Sequence, residues 1–255
     1  MIKLYQFPPV WGRNVSPFTL KLETWLKLAG LSYEVVPVRN PGRGPKGKMP
    51  FIEDQDGQVI GDSSLIIEHL ERTRGLDLNR GLAPIERVEA LALQRLLEEH
   101  FYFIMAYSRW CDPDGWRAVA PAFFGFLPPG LRQIVPLLVR RRVRASLHHQ
   151  GLGRHSQDEL YDMGWADLEA MSIMLDNRPF FFGERPTTID AVAYGFLANV
   201  LLVPVETELK RIAAQFSNLQ GWTAAMERHY GDPLPEPDPA RTPEPEAEGG
   251  PRQSA

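Results

Sequence analysis

A chain of 255 residues with 44% hydrophobic side chains carries enough apolar material for one large domain or two small ones. Its formal charge of -4 arises at the end of the sequence, where residues 231–255 hold six acidic and two basic side chains; the remaining body is near neutral and offers no global field for nucleic acid or an acidic surface. The single cysteine, Cys111, excludes an internal disulfide framework and a cysteine-built zinc site, and no apolar run approaches the ~20 residues of a membrane span, so a cytoplasmic protein is expected, with no nucleic-acid partner and no membrane contact.

In chain order, Ile2 to Gln6 reads as a short strand closed by Pro8 and Pro9. Residues 14–31, NVSPFTLKLETWLKLAGL, follow with helical spacing of Leu20, Leu22, Trp25, Leu26 and Leu28. Pro17 suits the first turn, Ser16 suits the N-cap and Gly30 supplies the stop. Lys21, Glu23 and Lys27 fall between the apolar positions and are expected on a wet face. Ser16 has two roles open to it: a plain cap, or a hydroxyl placed among free N–H groups where a thiolate, carboxylate or phosphate is favoured.

Ser32 to Val38 is a β-branched run, so the opening is a β-α-β unit with parallel strands. A Gly-, Pro- and Lys-rich loop over residues 40–48 leads to Phe51–Glu53 and Gln58–Ile60, which flank the hairpin turn Asp56-Gly57. A helix over about Ser63 to Thr73 completes a β-α-β, β-β-α order. From Pro84 the periodicity is helical only, through Leu91, Leu96, Leu97 and Phe101. Phe101, Tyr102, Phe103, Met105, Tyr107, Trp110 and Trp116 form an aromatic-rich segment that suits a core and also an apolar pocket facing Ser16.

Pro136 argues against one straight helix through residues 117–150. Arg140, Arg141, Arg142 and Arg144 suit a solvated helix face, or else a membrane surface or acidic partner. His148, His149 and His155 fit no zinc spacing, and no metal is expected. Ser156 with Glu159 reads as a capping box opening a helix to about Asp176, and Thr187 with Asp190 as a second box before the apolar helix Thr188–Leu202. Two shorter helices are expected near Glu206–Phe216 and Leu219–Tyr230. Beyond them the Pro- and Glu-rich stretch 231–255 is expected to be disordered.

Ser16-Pro17-Phe18, the loop ending Gly47-Lys48-Met49-Pro50, the pair Asp62-Ser63 and the segment FFFGERPTTIDAVAYGFL at residues 180–197 stand in the order in which the glutathione transferase superfamily carries its motifs. The chain resembles that superfamily, and SPFTLKLETWLKLAG, DSSLIIEHL, GLGRHSQDEL and PTTIDA resemble its failed-axon-connections and metaxin-like branch. The resemblance implies an α/β thioredoxin-like N-terminal domain over residues 1–78 and an all-α helical C-terminal domain over 84–230. It implies glutathione as co-substrate and a small hydrophobic electrophile as the second substrate, with Ser16 as the thiol-activating residue, and a homodimer. Met49 and Pro50, joined by a cis bond, would face the cysteinyl part of glutathione, Asp62 and Ser63 its γ-glutamyl end, and Lys48 its glycyl carboxylate. Without that family context a trans bond has the better base rate. Tyr5 is the next candidate for stabilising the thiolate. A non-catalytic, metaxin-like interaction protein on the same fold is the alternative.

Overall fold

The computed structural model describes residues 1–231, so the expected disorder of the tail lies outside the described residues. Four strands come first: β1 (Ile2–Gln6), β2 (Tyr33–Pro37), β3 (Phe51–Glu53) and β4 (Val59–Gly61). They form one sheet in the order β2-β1-β3-β4. β1 and β2 are parallel, as the helical crossover requires, while β3 is antiparallel to both β1 and β4.

Two helices belong to this part, α1 (Pro17–Leu28) and α2 (Ser63–Arg74). Gly30 and Gly75 end them with φ of 66° and 64°, a left-handed turn that costs a residue without Cβ little. Ile2 and Leu4 of β1, Ile52 of β3, Leu22, Trp25 and Leu26 of α1, and Ile66 and Leu70 of α2 share one core. The hairpin is strapped to α2 at Asp54. Its carboxylate accepts from His69 Nε2 at 2.8 Å, Arg74 Nη2 at 2.5 Å and the Gln55 N–H at 2.7 Å. Burial alone would push the Asp54 carboxyl up, but these three donors outweigh it and hold the group below its ordinary 3.8.

From Pro84 onward every regular element among the described residues is helical. α3 (Pro84–Arg95) passes through a π-helical turn, Leu96–Phe101, into α4 (Tyr102–Trp110). α5 (Pro113–Phe124) and α6 (Pro129–Gln150) form a hairpin, and α7 (Gln157–Leu175), α8 (Thr188–Leu201), α9 (Glu208–Ala213) and α10 (Ser217–Tyr230) complete the bundle. Pro136 does not break α6. It removes one hydrogen bond to the Arg132 carbonyl, a loss that a 22-residue helix absorbs.

Both expected capping boxes are present, at Ser156–Glu159 and Thr187–Asp190. Asp190 is fully buried and accepts from the Thr187 N–H, the Thr187 hydroxyl and the Phe181 N–H at 2.8–2.9 Å. Burial raises its pKa, and these bonds oppose the rise without cancelling it.

α8 is the shared element of the two parts. Twelve of its residues are buried, and Ala191 joins the core of the sheet while Val192, Phe196 and Leu197 belong to that of the bundle. It crosses α1 at Gly195, where an added Cβ would sit 2.5 Å from the Pro17 carbonyl oxygen and 2.8 Å from the Lys21 nitrogen. Backbone thus meets backbone at the first turn of α1. The Trp25 indole reaches Thr188 Oγ1 at 3.3 Å along the same contact.

That packing removes the wet face expected for α1. Lys21 is fully buried and Glu23 is 5% exposed. Lys21 pairs with Glu98 at 2.6 Å and donates to Ser64 Oγ at 2.7 Å, and Gln94 bonds both Ser64 and Glu98 at 3.1 Å. One polar cluster therefore ties α1, α2 and the α3–α4 segment together. Burial depresses the Lys21 pKa, with Glu98 opposing the shift.

Candidate active site

Ser16 is the N-cap of α1, with extended backbone at φ -90° and ψ 117°. Its hydroxyl oxygen accepts the Thr19 N–H at 3.4 Å. That bond uses a lone pair and leaves the O–H free to donate elsewhere, so capping and thiol recognition employ opposite ends of one group. Ser16 is half-buried, which leaves it reachable.

The loop before Ser16 is held by the helical bundle. Val10 and Arg13 bridge across Trp11-Gly12, both at positive φ, a two-residue turn of the hairpin kind. Arg13 then forks onto Glu227 of α10 with two contacts of 3.1 Å, and Tyr194 of α8 donates to the same carboxylate. Asn14 accepts the Ser16 N–H at 3.0 Å and donates to the Phe7 carbonyl at 3.2 Å.

Arg109 of α4, 7% exposed, donates to the Val15 carbonyl at 2.7 Å and to the Asn199 side-chain and main-chain oxygens. Asn199 in turn donates to the Asn14 carbonyl at 3.4 Å. These acceptors are all neutral oxygens, and burial pushes the Arg109 pKa down to about 10. It still carries its charge at neutral pH, one residue from Ser16. Sequence reading missed Arg109 and Asn199, because nothing in their spacing signals that they converge on residues 14–16.

The other expected residues lie along the sheet edge and the start of α2. Met49-Pro50 is cis, and Met49 packs with Val38 and Phe51 beside Tyr5 and Phe7. Lys48 is exposed. Asp62 caps α2, its Oδ1 accepting from the Ser64 and Leu65 N–H groups at 3.0 and 3.4 Å. Its φ of 84° is unusual for a residue with a Cβ, and such strain concentrates at ligand sites. Its Oδ2 carries no hydrogen bond among the described residues. Ser63 is 4% exposed.

Tyr5 is committed elsewhere. Its hydroxyl donates to Glu53 at 3.0 Å and its ring stacks on Phe51 at 4.4 Å. Burial and then Glu53 raise its pKa, so the phenol stays neutral, but its O–H is already given to the Glu53 carboxylate.

The aromatic segment divides. Phe101 and Met105 are core residues, Tyr102 packs edge-on against Phe18, and Tyr107 meets Tyr161. Trp110 is different: it contacts Trp116, Phe123 and Phe124, and Phe123 in turn meets Trp11 of the loop before Ser16 at 5.6 Å. Phe123 and Phe124 were not among the sequence candidates. Among the described residues no group of three His, Cys, Asp or Glu side chains is placed to hold a metal.

A sheet domain with a serine-capped first helix, packed through that helix on an all-helical bundle, is the architecture of the glutathione transferases. The glutathione S-transferase N-terminal domain profile matches residues 17–115, and the C-terminal domain profile residues 164–226. The isoprene-epoxide glutathione S-transferase of Rhodococcus sp. (strain AD45) is 33% identical over 210 residues, 78% of this chain and 87% of its own length. Failed axon connections of Drosophila melanogaster is 36% identical over 78% of this chain but only 50% of its own length, and human metaxin-2 is 26% identical over 83% and 81%. Among solved structures, a glutathione S-transferase from Rhodospirillum rubrum F11 superposes with a TM-score of 0.59 at 21% identity, covering 96% of this chain and 97% of that one. The chain belongs to the glutathione S-transferase family, and Failed axon connections and the metaxins are among its relatives.

Proposed function

We propose that the protein binds glutathione and conjugates its thiolate to a small apolar electrophile, with Ser16 activating the thiol. The observation that carries this reading is the Ser16 hydroxyl: capped through its lone pair, free as a donor, and set at the positive end of a 12-residue helix. The buried charge of Arg109 lies behind the same backbone and favours the anion further. Lowering a thiol pKa by two units takes only about 2.7 kcal/mol, within reach of one directed bond and a favourable field. Met49 and Pro50 at the head of β3, and Asp62 and Ser63 at the head of α2, would hold the tripeptide, with Lys48 available to its glycyl carboxylate. The aromatic cluster of Trp11, Trp110 and Phe123 would receive the electrophile. Similarity to a relative named for a glutathione conjugation supports the same reading.

A homodimer is part of this proposal. Ile85, Val88 and Leu91 of α3 are 52–63% exposed at helical spacing, and Val59 and Leu65 add exposed apolar surface on β4 and α2.

The competing reading is a non-catalytic, metaxin-like interaction protein that uses the fold for a protein or membrane partner, and similarity to human metaxin-2 favours it. Titration calorimetry with glutathione separates the two. Saturable binding with a millimolar or tighter Kd supports the enzyme; absence of heat at saturating glutathione supports the interaction protein.

A further inference from the structure

Between Asp114 and Asp158 the sequence holds seven arginines and no aspartate or glutamate. This stretch forms the α5–α6 hairpin. Helix α6 runs for 22 residues, yet only Pro136 and Leu147 of it are buried. A helix of that length with so little core contact leaves its outer side uncovered.

That side is apolar in its first half. Leu131, Ile134, Leu137 and Leu138 are 50–59% exposed, and Phe126, in the turn just before α6, is 54% exposed. Leu131, Ile134 and Leu138 follow one helical stripe, and the stripe continues through Arg141. Arg141, Arg142 and Arg144 are exposed and form no ion pair among the described residues. Arg140 instead turns inward, stacking on Trp116 at 4.7 Å and donating to the Trp110 and Cys111 carbonyls at 2.7 and 3.0 Å. It fixes the hairpin to the body. At the tip the Arg39 guanidinium lies 4.0 Å over the Phe126 ring, which brings the basic loop of residues 39–48 alongside.

We infer that this face docks reversibly on an anionic lipid bilayer. Phe126 and the aliphatic stripe to Leu138 enter the headgroup boundary, while Arg141 and Arg142 pair with lipid phosphates. Charge alone would suit an acidic protein or nucleic acid; large open aliphatics continuous with unpaired arginines suit an apolar phase beneath an anionic surface. No helix among the described residues is long and apolar enough to cross a membrane, and the inferred contact is a peripheral one. Sequence reading left these arginines between a solvated helix face and a membrane surface or acidic partner, because the outer side of α6 is recognisable only once Arg140 and Leu147 show which side points in.

The test is co-sedimentation of the full-length protein with phosphatidylcholine vesicles, and with vesicles in which about one-third of the lipid is phosphatidylglycerol. Binding is expected to the anionic vesicles only, and to fall severalfold between about 0.1 M and about 0.5 M salt. The combined Arg141→Glu and Arg142→Glu changes should cut the bound fraction about tenfold, and Ile134→Ser with Leu138→Ser should also weaken it, both with an unchanged melting temperature. All these positions are exposed, so the variants should fold. Failure of the wild type to bind, or equal binding to neutral vesicles, overturns the inference. So does a change of oligomeric state in Ile134→Ser/Leu138→Ser by light scattering, which would assign the face to a second copy of the chain.

Discussion

Ser16 joins two roles that mutation can separate, since the cap uses its oxygen as acceptor and thiol activation uses its hydrogen. Ser16→Ala should lower conjugation by about 10² to 10³, the cost of losing one directed bond to developing negative charge, while glutathione affinity holds nearly constant. The lost cap should cost about 1 kcal/mol of stability. Measuring turnover, the pH dependence of turnover and the melting temperature on one preparation decides the matter: a lower melting point with unchanged turnover would make Ser16 structural. Asp54 gives a separate prediction on acid stability. Its folded pKa lies below the ordinary 3.8, so the unfolded chain binds more protons in acid, and the stabilisation present above that value is lost as pH falls through the folded pKa. Asp54→Asn should cost about 1.5–3 kcal/mol near neutral pH by weakening the bonds from His69 and Arg74. It should also flatten the dependence of the urea midpoint between about pH 5 and about pH 2, where wild type declines.

Among the elements, the crossing of α1 and α8 sets the geometry of the site. Gly195 is small because the backbone of Pro17 and Lys21 occupies the space of a side chain, and that backbone is the turn directly after Ser16. Gly195→Ala cannot be relieved by rotating a side chain. It should destabilise by about 1–3 kcal/mol and, by pushing the start of α1 aside, lower turnover more than a surface change of equal cost. Thermal melts beside kinetics test this; an unaltered melting temperature would mean that the two helices part freely. The loop before α1 is fastened from the bundle by Glu227, which holds Arg13, and by Arg109 and Asn199, so the serine of the sheet domain is positioned by the helical one.

For the whole molecule, two apolar surfaces remain open, one on α3 and one on α6. The arginines of α3, Arg87 and Arg95, are paired with Asp77 and Glu99, unlike Arg141 and Arg142 of α6, and a second copy of the chain is the proposed occupant of the stripe Ile85, Val88 and Leu91. Val88→Glu should convert a dimer into a monomer in light scattering with the helical content retained. A wild type already monomeric at micromolar concentration would refute this assignment.

The order of elements was legible because local physics writes it down. Ile2–Gln6 alternates, Ser16-Pro17 and Gly30 bracket a helix, Asp56-Gly57 turns a hairpin, and both capping boxes stand at the residues that open α7 and α8. The motifs through Ser16, Met49-Pro50 and Asp62-Ser63 named the family for the same reason, each being a short stretch with its own backbone requirement. Burial of Lys21 and Glu23, convergence of Arg109 and Asn199 on the serine loop, the separation of Trp110 from its core-bound aromatic neighbours and the open side of α6 were decided only by tertiary packing. Each depends on which face of one helix meets another far along the chain. Periodicity shows that a helix has faces; it does not say that α8 will cover the polar face of α1, or that nothing will cover the apolar face of α6.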